Sequence, residues 1–415
     1  MKTSTQPNSV VEFEQIIRRG CGLDVHEKTV VATIGGEGIK SETLTFDTFT
    51  SSLKTLCEWL KSHEITHVAM ESTGVYWKPV FNILGDDFKV ILVNARHLKN
   101  VPGRKTDKAD SQWICKLLLA GLLKASFVPE EKIRQLRDLN RYATKLTQDM
   151  ASEKNRMQKI LEDANIKLSS VVNDVTGVVA TKLIAGLMAG QSDLEALIAE
   201  SYHKNLKATP GQLLEAINGR LTDHHRFMLK QINDHIEYLH SKLCDLEVEI
   251  DRLLCNEQDV QSVELLKTIP GVDKVAAVKI IAEIGTVPAE TFESAKRLAK
   301  WAGICPGNNE SGGKKMSGRT PHGNKYLKSI LTQVAWAATR TKGTYLRTKF
   351  DSLVGRMGKK KALLVIGHKI LCAAYHLLTT RLPYQAFSVE KFEQQRKHKR
   401  IMYLKKELKE LDVMV

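Results

Sequence analysis

Four carboxylates in the first 110 residues stand where strand-like runs stop or a helix starts, and this placement constrains the fold more than any other feature. Asp24 closes the short apolar run RGCGLDV, and Glu71 closes THVAMES. Asp107 and Asp110 open a segment whose apolar positions Ile114, Leu117, Leu118 and Leu122 recur at helical spacing. Between them lie a β-branched run ending in glycines (KTVVATIGG), an alternating run (IKSETLTF), a helical stretch with Ser/Thr start signals (DTFTSSLKTLCEWLKSH), a loop and helix (STGVYWKPVFNILGDD) and a second buried strand (KVILVNA). The predicted order is βββ-α-β-α-β-α, with the first three strands an antiparallel meander. Alone, Asp107 and Asp110 read as an N-cap and an acidic first turn, where carboxylates suit the helix dipole. Their i, i+3 spacing also sets both on one helix face.

The other acids change that reading. Strands one and four are expected side by side in the centre of such a sheet, with their C-terminal ends on one edge, where ligands of α/β sheets gather. Four carboxylates meeting there repel one another unless cations fill the cluster. Hard oxygen ligands with open water positions suit Mg²⁺ or Mn²⁺, and two such ions can clamp the attacking and leaving oxygens of a phosphodiester. This is the ribonuclease-H-like architecture of many nucleases and transposases.

Charge is distributed unevenly. The chain carries 62 Lys+Arg and 47 Asp+Glu, a net of +15, yet from Asp259 to Val415 there are 29 basic and 13 acidic residues, a net of +16. All of the excess therefore lies in the C-terminal part, which expects a polyanion, nucleic acid above all. Seven scattered cysteines with no C-x-x-C pair indicate neither a zinc site nor a disulfide framework, and fit a reducing cytoplasm. No unbroken apolar run reaches the ~20 residues of a membrane span, and the start of the chain has no signal-peptide pattern.

Residues 1–17 read as a polar tail and 18–168 as the α/β domain. Its last stretch, from Glu130, is helical and highly charged; Arg134, Arg137, Arg141, Lys145, Lys154, Arg156 and Lys159 either line a nucleic-acid path or form a solvated face. Residues 169–258 carry no strand signal. They lead into a long helix predicted from about Pro210 to Asn256, whose seam of Ile232, Ile236, Leu239, Leu243, Leu246 and Ile250 predicts a coiled-coil arm. A third, helical domain spans 259–385. It opens with a helix, an Ile269–Val272 turn and a second helix, resembling a helix-hairpin-helix, whose turn and helix N-terminus present N–H groups to phosphate; an ordinary packed hairpin is the alternative. Its centre is a glycine- and lysine-rich loop in which Ser311 precedes Gly312 and Gly313, small neighbours that let a phosphodiester approach closely. Ser317 is an equal candidate on these grounds. Residues 386–415 form a basic tail. Arg104, Lys105, Lys314, Lys315, Arg319, Asn324 and Lys325 are the expected nucleic-acid contacts.

Taken together, G-L-D-V-H at Gly22–His26, E-S-T-G-V-Y at Glu71–Tyr76, K-T-D-K-A-D at Lys105–Asp110 and A-G-I-C-P-G-N-N-E-S-G-G-K-K-M-S-G-R-T-P-H-G-N at Ala302–Asn324 resemble the DEDD transposases, or recombinases, of the insertion-sequence 110 family. The resemblance runs from about Arg18 to Tyr384. It implies a RuvC-like domain, a coiled coil and a C-terminal transposase domain. It implies Mg²⁺ at Asp24, Glu71, Asp107 and Asp110, and Ser311 as the nucleophile that leaves a phosphoserine-linked DNA end and a free 3′ hydroxyl. It further implies DNA partners (element ends and target), a non-coding bridge RNA that selects them, a dimer or tetramer with a composite active site, and a cytoplasmic, nucleoid-associated setting. Two other readings stay open on the residues alone. A hydrolytic junction-resolvase-type nuclease needs the acids but not Ser311, and a non-catalytic DNA-architectural protein needs neither.

Overall fold

The computed structural model describes residues 17–72, 74–94, 107–307 and 309–410; the side chains of 107–109, 309–311, 315–317 and 409–410 lie outside the described set. The chain divides into two compact units, one ending at Val128 and the other starting at Pro129.

The first unit is built as its alternating apolar runs dictate. Strands β1 (Arg19–Val25), β2 (Thr29–Gly36) and β3 (Ile39–Asp47) form an antiparallel meander, followed by α1 (Thr50–Ser62), β4 (His67–Glu71), α2 (Trp77–Leu84), β5 (Lys89–Val93) and α3 (Asp107–Leu119). The strand order is β3-β2-β1-β4-β5, with β4 parallel to both β1 and β5. The sheet is therefore mixed, β1 is its central strand, and β1 and β4 are neighbours, as the sequence order predicts. Helix α1 buries Leu53, Leu56, Cys57 and Leu60, one stripe at i, i+3, i+4 and i+7. That stripe packs with Cys21, Leu23 and Val25 of β1 and with Val68 and Met70 of β4. Strand residues alternate faces, so Gly20, Gly22 and Asp24, like Ala69 and Glu71, belong to the opposite face. There α3 lies, and Ile114, Leu117 and Leu118 pack with Ala69 and Val93.

In the second unit the longest helices are α4 (Glu131–Asp163) and α8 (Asp223–Leu253), with α5 (Val178–Met188), α6 (Leu194–Ser201) and α7 (Pro210–Ile217) between them. Asp163 pairs with His225 at 2.9 Å and Glu153 with His235 at 3.1 Å, so the two long helices run antiparallel. The apolar seam of α8 thus finds a partner within the chain. Helices α5 to α7 close the end of this hairpin over a core that includes Leu161, Leu183, Leu213 and Leu229. The single long helix predicted over about Pro210–Asn256 is two helices. Asn218 ends α7, and Thr222 starts α8 afresh with a capping box, its hydroxyl taking the His225 N–H while the His225 ring takes the Thr222 N–H.

The remainder is helical: α9 (Glu257–Lys267), α10 (Lys274–Ile284), α11 (Ala295–Ala302), a hairpin of β6 (Asn309–Ser311) and β7 (Lys314–Ser317), then α12 (Lys325–Ala338), α13 (Tyr345–Met357), α14 (Lys359–Thr380) and α15 (Val389–Glu410). Among the described helices α14 has the length and composition of a membrane span. Its Ile366, Ile370, Leu371, Ala374 and Leu378 are buried, and α9, α11, α12 and α13 pack around it, which is the environment of a core helix. The turn between α9 and α10 is closely packed. A Cβ at Gly271, whose φ is +87°, would lie 2.5 Å from the Ala338 nitrogen, so the turn is tucked against α12. The start of α10 is closed by Asp273, whose carboxylate accepts the Ala276 N–H at 2.7 Å. A carboxylate at that position opposes phosphate, which favours the ordinary packed hairpin.

Candidate active site

Helix α3 decides where the first unit's carboxylates gather. It crosses the sheet face antiparallel to β1: Leu118 and Leu119 lie over Gly20, while Ser111 and Cys115 lie over Gly22. A Cβ at Gly22 would sit 2.3 Å from both the Ser111 carbonyl oxygen and the Cys115 nitrogen, so only glycine permits this approach. The buried Ser111 hydroxyl is hydrogen-bonded to Thr33 Oγ1 of β2 at 2.8 Å, which fixes the helix along its axis. The N-terminal turn of α3 is consequently directed to the carboxyl ends of β1 and β4. Asp24 and Glu71 follow the paired residues Leu23 and Met70 on adjacent parallel strands and share the α3 face. Asp110 precedes Ser111 in the helix and is exposed. The backbone of Asp107 starts the helix one turn before Ser111, and its side chain lies outside the described residues, as do Arg104 and Lys105. Asp24 is mostly buried, its side chain 15% exposed, and its Oδ2 is 3.0 Å from His26 Nε2. The imidazole two residues on in the G-L-D-V-H motif therefore orients the carboxylate. Among the described residues no three His, Cys, Asp or Glu side chains form a ready metal group. The donor set Asp24, Glu71, Asp107 and Asp110 is all carboxylate oxygen and fits a hard divalent cation.

The second unit displays the serine motif on a hairpin. Ser311 pairs with Lys314 across the two-residue turn Gly312–Gly313, whose φ values of +56° and +75° are those of a primed turn that glycine adopts without strain. Among the described residues nothing lies within 4 Å of a Cβ built at either glycine, so the tip is open toward them. Lys314 and Arg319 are exposed, and the side chains of Ser311, Lys315 and Ser317 lie outside the described residues. The base of the hairpin is clamped. Gly307 N–H donates to the Arg319 carbonyl at 3.0 Å, and a Cβ at Gly323 would lie 2.4 Å from the Ala302 carbonyl. Asn324 then starts α12, its Oδ1 accepting the N–H groups of Tyr326 and Leu327 at 3.0 Å, while its Nδ2 donates to Glu283. Both ends of its amide are engaged inside the protein, which gives this predicted nucleic-acid contact a structural role. Lys325 is exposed and stands 5.1 Å from the Tyr326 ring centroid.

Glu283, which sequence reasoning passed over, holds these parts together. Its buried carboxylate accepts two 2.9 Å hydrogen bonds from Arg141 and lies 3.3 Å from Arg137 Nε. Arg137 also donates to the carbonyls of Ala282 and Glu283. Burial lowers the Arg137 pKa, and the neighbouring Glu283 charge opposes that shift. Arg137 and Arg141, on the charged helix whose role the sequence left open, are thus turned inward. Lys154 and Arg156 pair with Asp174 and Glu153.

Two family models match the chain. One, for the DEDD transposase of IS110, covers residues 21–166; the other, described as Transposase IS116/IS110/IS902 family, covers residues 263–351. This chain belongs to the IS110 family of transposases. Pilin gene-inverting proteins of Moraxella bovis and Moraxella lacunata are each 24% identical to it over 384 residues, 88% of this chain and 96% of the relative. As an IS110-family chain it carries Asp24, Glu71, Asp107 and Asp110 within the first matched region, and Ser311 within the second. The unmatched residues between them, 167–262, hold α5 to α8, while α4 lies within the first matched region. In this family member the roles of His26 and Gly22 were legible only as motif letters, and Glu283 had no motif to announce it.

Proposed function

We propose that this protein is a DNA transposase or site-specific recombinase that cuts and rejoins strands through a phosphoserine formed at Ser311. The observation that carries the proposal is the convergence of Asp24, Glu71 and the N-terminal turn of α3 on one face at one end of the sheet, in a chain matched at both ends by transposase families. The inverting activity in the names of the Moraxella relatives supports recombination in particular.

Asp24, Glu71, Asp107 and Asp110 would hold Mg²⁺ or Mn²⁺, which when bound offsets charge on the scissile phosphate. His26 keeps the Asp24 carboxylate oriented. The Ser311 oxygen attacks phosphorus; the Oγ–P bond forms, the P–O3′ bond breaks, Oγ loses its proton and O3′ gains one. Attack by a 3′ hydroxyl on the phosphoserine reverses each change and rejoins a strand without an external energy source. The open Gly312–Gly313 tip admits the DNA backbone, and Lys314, Lys315 and Arg319 draw in its phosphates. A ribonuclease-H-like first unit, a guide RNA that selects donor and target, and assembly as dimers or tetramers belong to the same proposal.

The test compares wild type with Ser311→Ala and Asp107→Ala on element-end DNA, with the flanking non-coding RNA and Mg²⁺, on denaturing gels. A protein–DNA adduct in wild type that is lost in both variants is expected. Cleavage that leaves no adduct and survives Ser311→Ala overturns the serine step and leaves a water-using nuclease.

A further inference from the structure

Away from the carboxylates and the serine hairpin, the second unit contains a cleft of about 380 Å³ between α4, α10 and α12. Its walls carry Arg141, Lys145, Lys279 and Lys325, together with Tyr326 and a single carboxylate, Glu283. That carboxylate is already committed to Arg141, Arg137 and Asn324. Lys145, at an exposed position, has Asp149 at 3.4 Å. Lys279 is half-buried, and among the described residues neither Lys279 nor Lys325 has a carboxylate within ion-pair distance. Burial lowers the Lys279 pKa, with only a partial opposing effect from Asp273. A half-buried ammonium without a counter-charge is costly to keep in a fold. The half-buried Lys279, with the exposed Lys325 facing the same cleft, is explained by an anion that enters it.

We infer that this cleft binds a phosphodiester of a nucleic-acid strand, with Lys279 and Lys325 as its counter-charges and Lys145 at the mouth. The inference rests on the transposase reading and extends it to a binding site apart from the reacting groups. Three features favour a strand over a small anion. The volume exceeds that of a lone phosphate and lies in the ~300–1,000 Å³ range of sites that enclose larger groups. Ser329 and Gln333 add neutral hydrogen-bonding groups to the wall, suited to sugar and ester oxygens. Lys325 follows directly on the Gly323–Asn324 clamp of the serine hairpin, so a strand led to the hairpin has this cleft next along α12. The Tyr326 ring, with Arg141 4.4 Å and Lys325 5.1 Å from its centroid, holds both cations in place rather than offering a free face for base stacking. Recognition here is of backbone, not of sequence.

The experiment uses full-length Ser311→Ala protein, in which strand cutting is blocked, with and without Lys279→Gln or Lys279→Arg. Fluorescence anisotropy is read on labelled single-stranded DNA, duplex DNA and RNA of one sequence, over a salt series. Lys279→Gln is expected to weaken binding about five- to tenfold and to reduce the slope of log K against log salt by ~0.7–0.9, the signature of one lost phosphate contact. Lys279→Arg, which retains the charge, is expected to keep the slope. Whichever probe shows the loss identifies the strand as DNA or RNA. Unchanged affinity and slope on all three probes overturn the inference, as does an equal loss in Gln and Arg variants accompanied by a lowered melting temperature. If wild-type protein forms no Ser311 adduct in the gel test above while the Lys279 effect is intact, the serine step alone is overturned.

Discussion

Replacing Glu283 tests the central claim about the second unit, that one buried carboxylate joins three helices. Its side chain is 5% exposed and meets Arg141, Arg137 and Asn324. Glu283→Gln keeps the shape, removes the charge and turns an amide N–H group toward guanidinium donors. Breaking a buried pair by neutralising one partner costs about 3–5 kcal/mol. Arg141, 34% exposed, can turn to water, while Arg137, 14% exposed, keeps two backbone carbonyls. Both facts place the loss at the lower end, about 3 kcal/mol. At roughly 2–4 °C per kcal/mol for a unit of this size, the 129–415 transition in calorimetry is expected to fall by ~6–12 °C. Asn324→Ala removes one helix cap and one donor and is expected to cost only about 1–2 kcal/mol. Because the two side chains touch, the double variant is expected to be non-additive by at least ~0.5 kcal/mol. A Glu283→Gln loss under ~1 kcal/mol, or strict additivity with Asn324→Ala, refutes the reasoning. Adduct formation is expected to drop in the same variant, because Asn324 leads directly into the hairpin clamp.

Two further outcomes follow from the first unit. Gly22→Ala forces a methyl group against the backbone of Ser111 and Cys115, and is expected to destabilise by about 3 kcal/mol and to abolish strand cutting; near-wild-type melting would refute the close approach. Burial pushes the thiols of Cys57 and Cys115 up to about 11 and raises Cys21 as well, with Asp87 adding to the shift at Cys57. The thiolate is the reactive form, so iodoacetamide at pH 8 is expected to modify the exposed Cys244 and Cys255 and to spare these three, whose labelling rises only as pH climbs toward their raised values; peptide mapping that finds Cys57 labelled early refutes it.

Much of the first unit was legible because each element carries its own period. The β1 run alternates, α1 repeats at three and four, and the order of strands and helices leaves few sheets to choose from. The end of the sheet at which Asp24 and Glu71 lie followed from their closing two strand-like runs whose strands the element order sets side by side. What sequence could not give was contact chemistry between distant residues. Arg137 and Arg141 look like any charged helix face until Glu283, 142 positions beyond Arg141, is placed beside them. Asn324 reads as a polar loop residue until its amide is seen capping α12. The break between α7 and α8 was hidden because apolar spacing continues on both sides, and the capping box of Thr222 and His225 uses a histidine where the familiar signature has Glu or Gln.

The uneven charge takes on a structural meaning once these contacts are known. Three carboxylates of the second unit are drawn inward or to a helix start: Glu283 to its arginines, the buried Asp259 to Lys132, Asp273 to the cap of α10. Many cations of the same unit are left outward, at Lys314 and Arg319 on the hairpin, at Lys325 by the cleft, and along the exposed α15 with Arg396, Lys397, Lys399 and Arg400. Near α15, burial lowers the Lys349 pKa, and the neighbouring cations Lys369, Lys399, Arg356 and Arg396 lower it further. A net charge of this size could arise from scattered surface lysines with no common purpose. From Asp259 onward bases outnumber acids 29 to 13, an arrangement that penalises the free protein through self-repulsion and rewards a bound polyanion. If the arrangement is functional, nucleic-acid affinity must fall steeply and linearly in log salt, with a slope of at least about −4. A slope near zero would mean that the exposed cations of this unit do not meet phosphate at all.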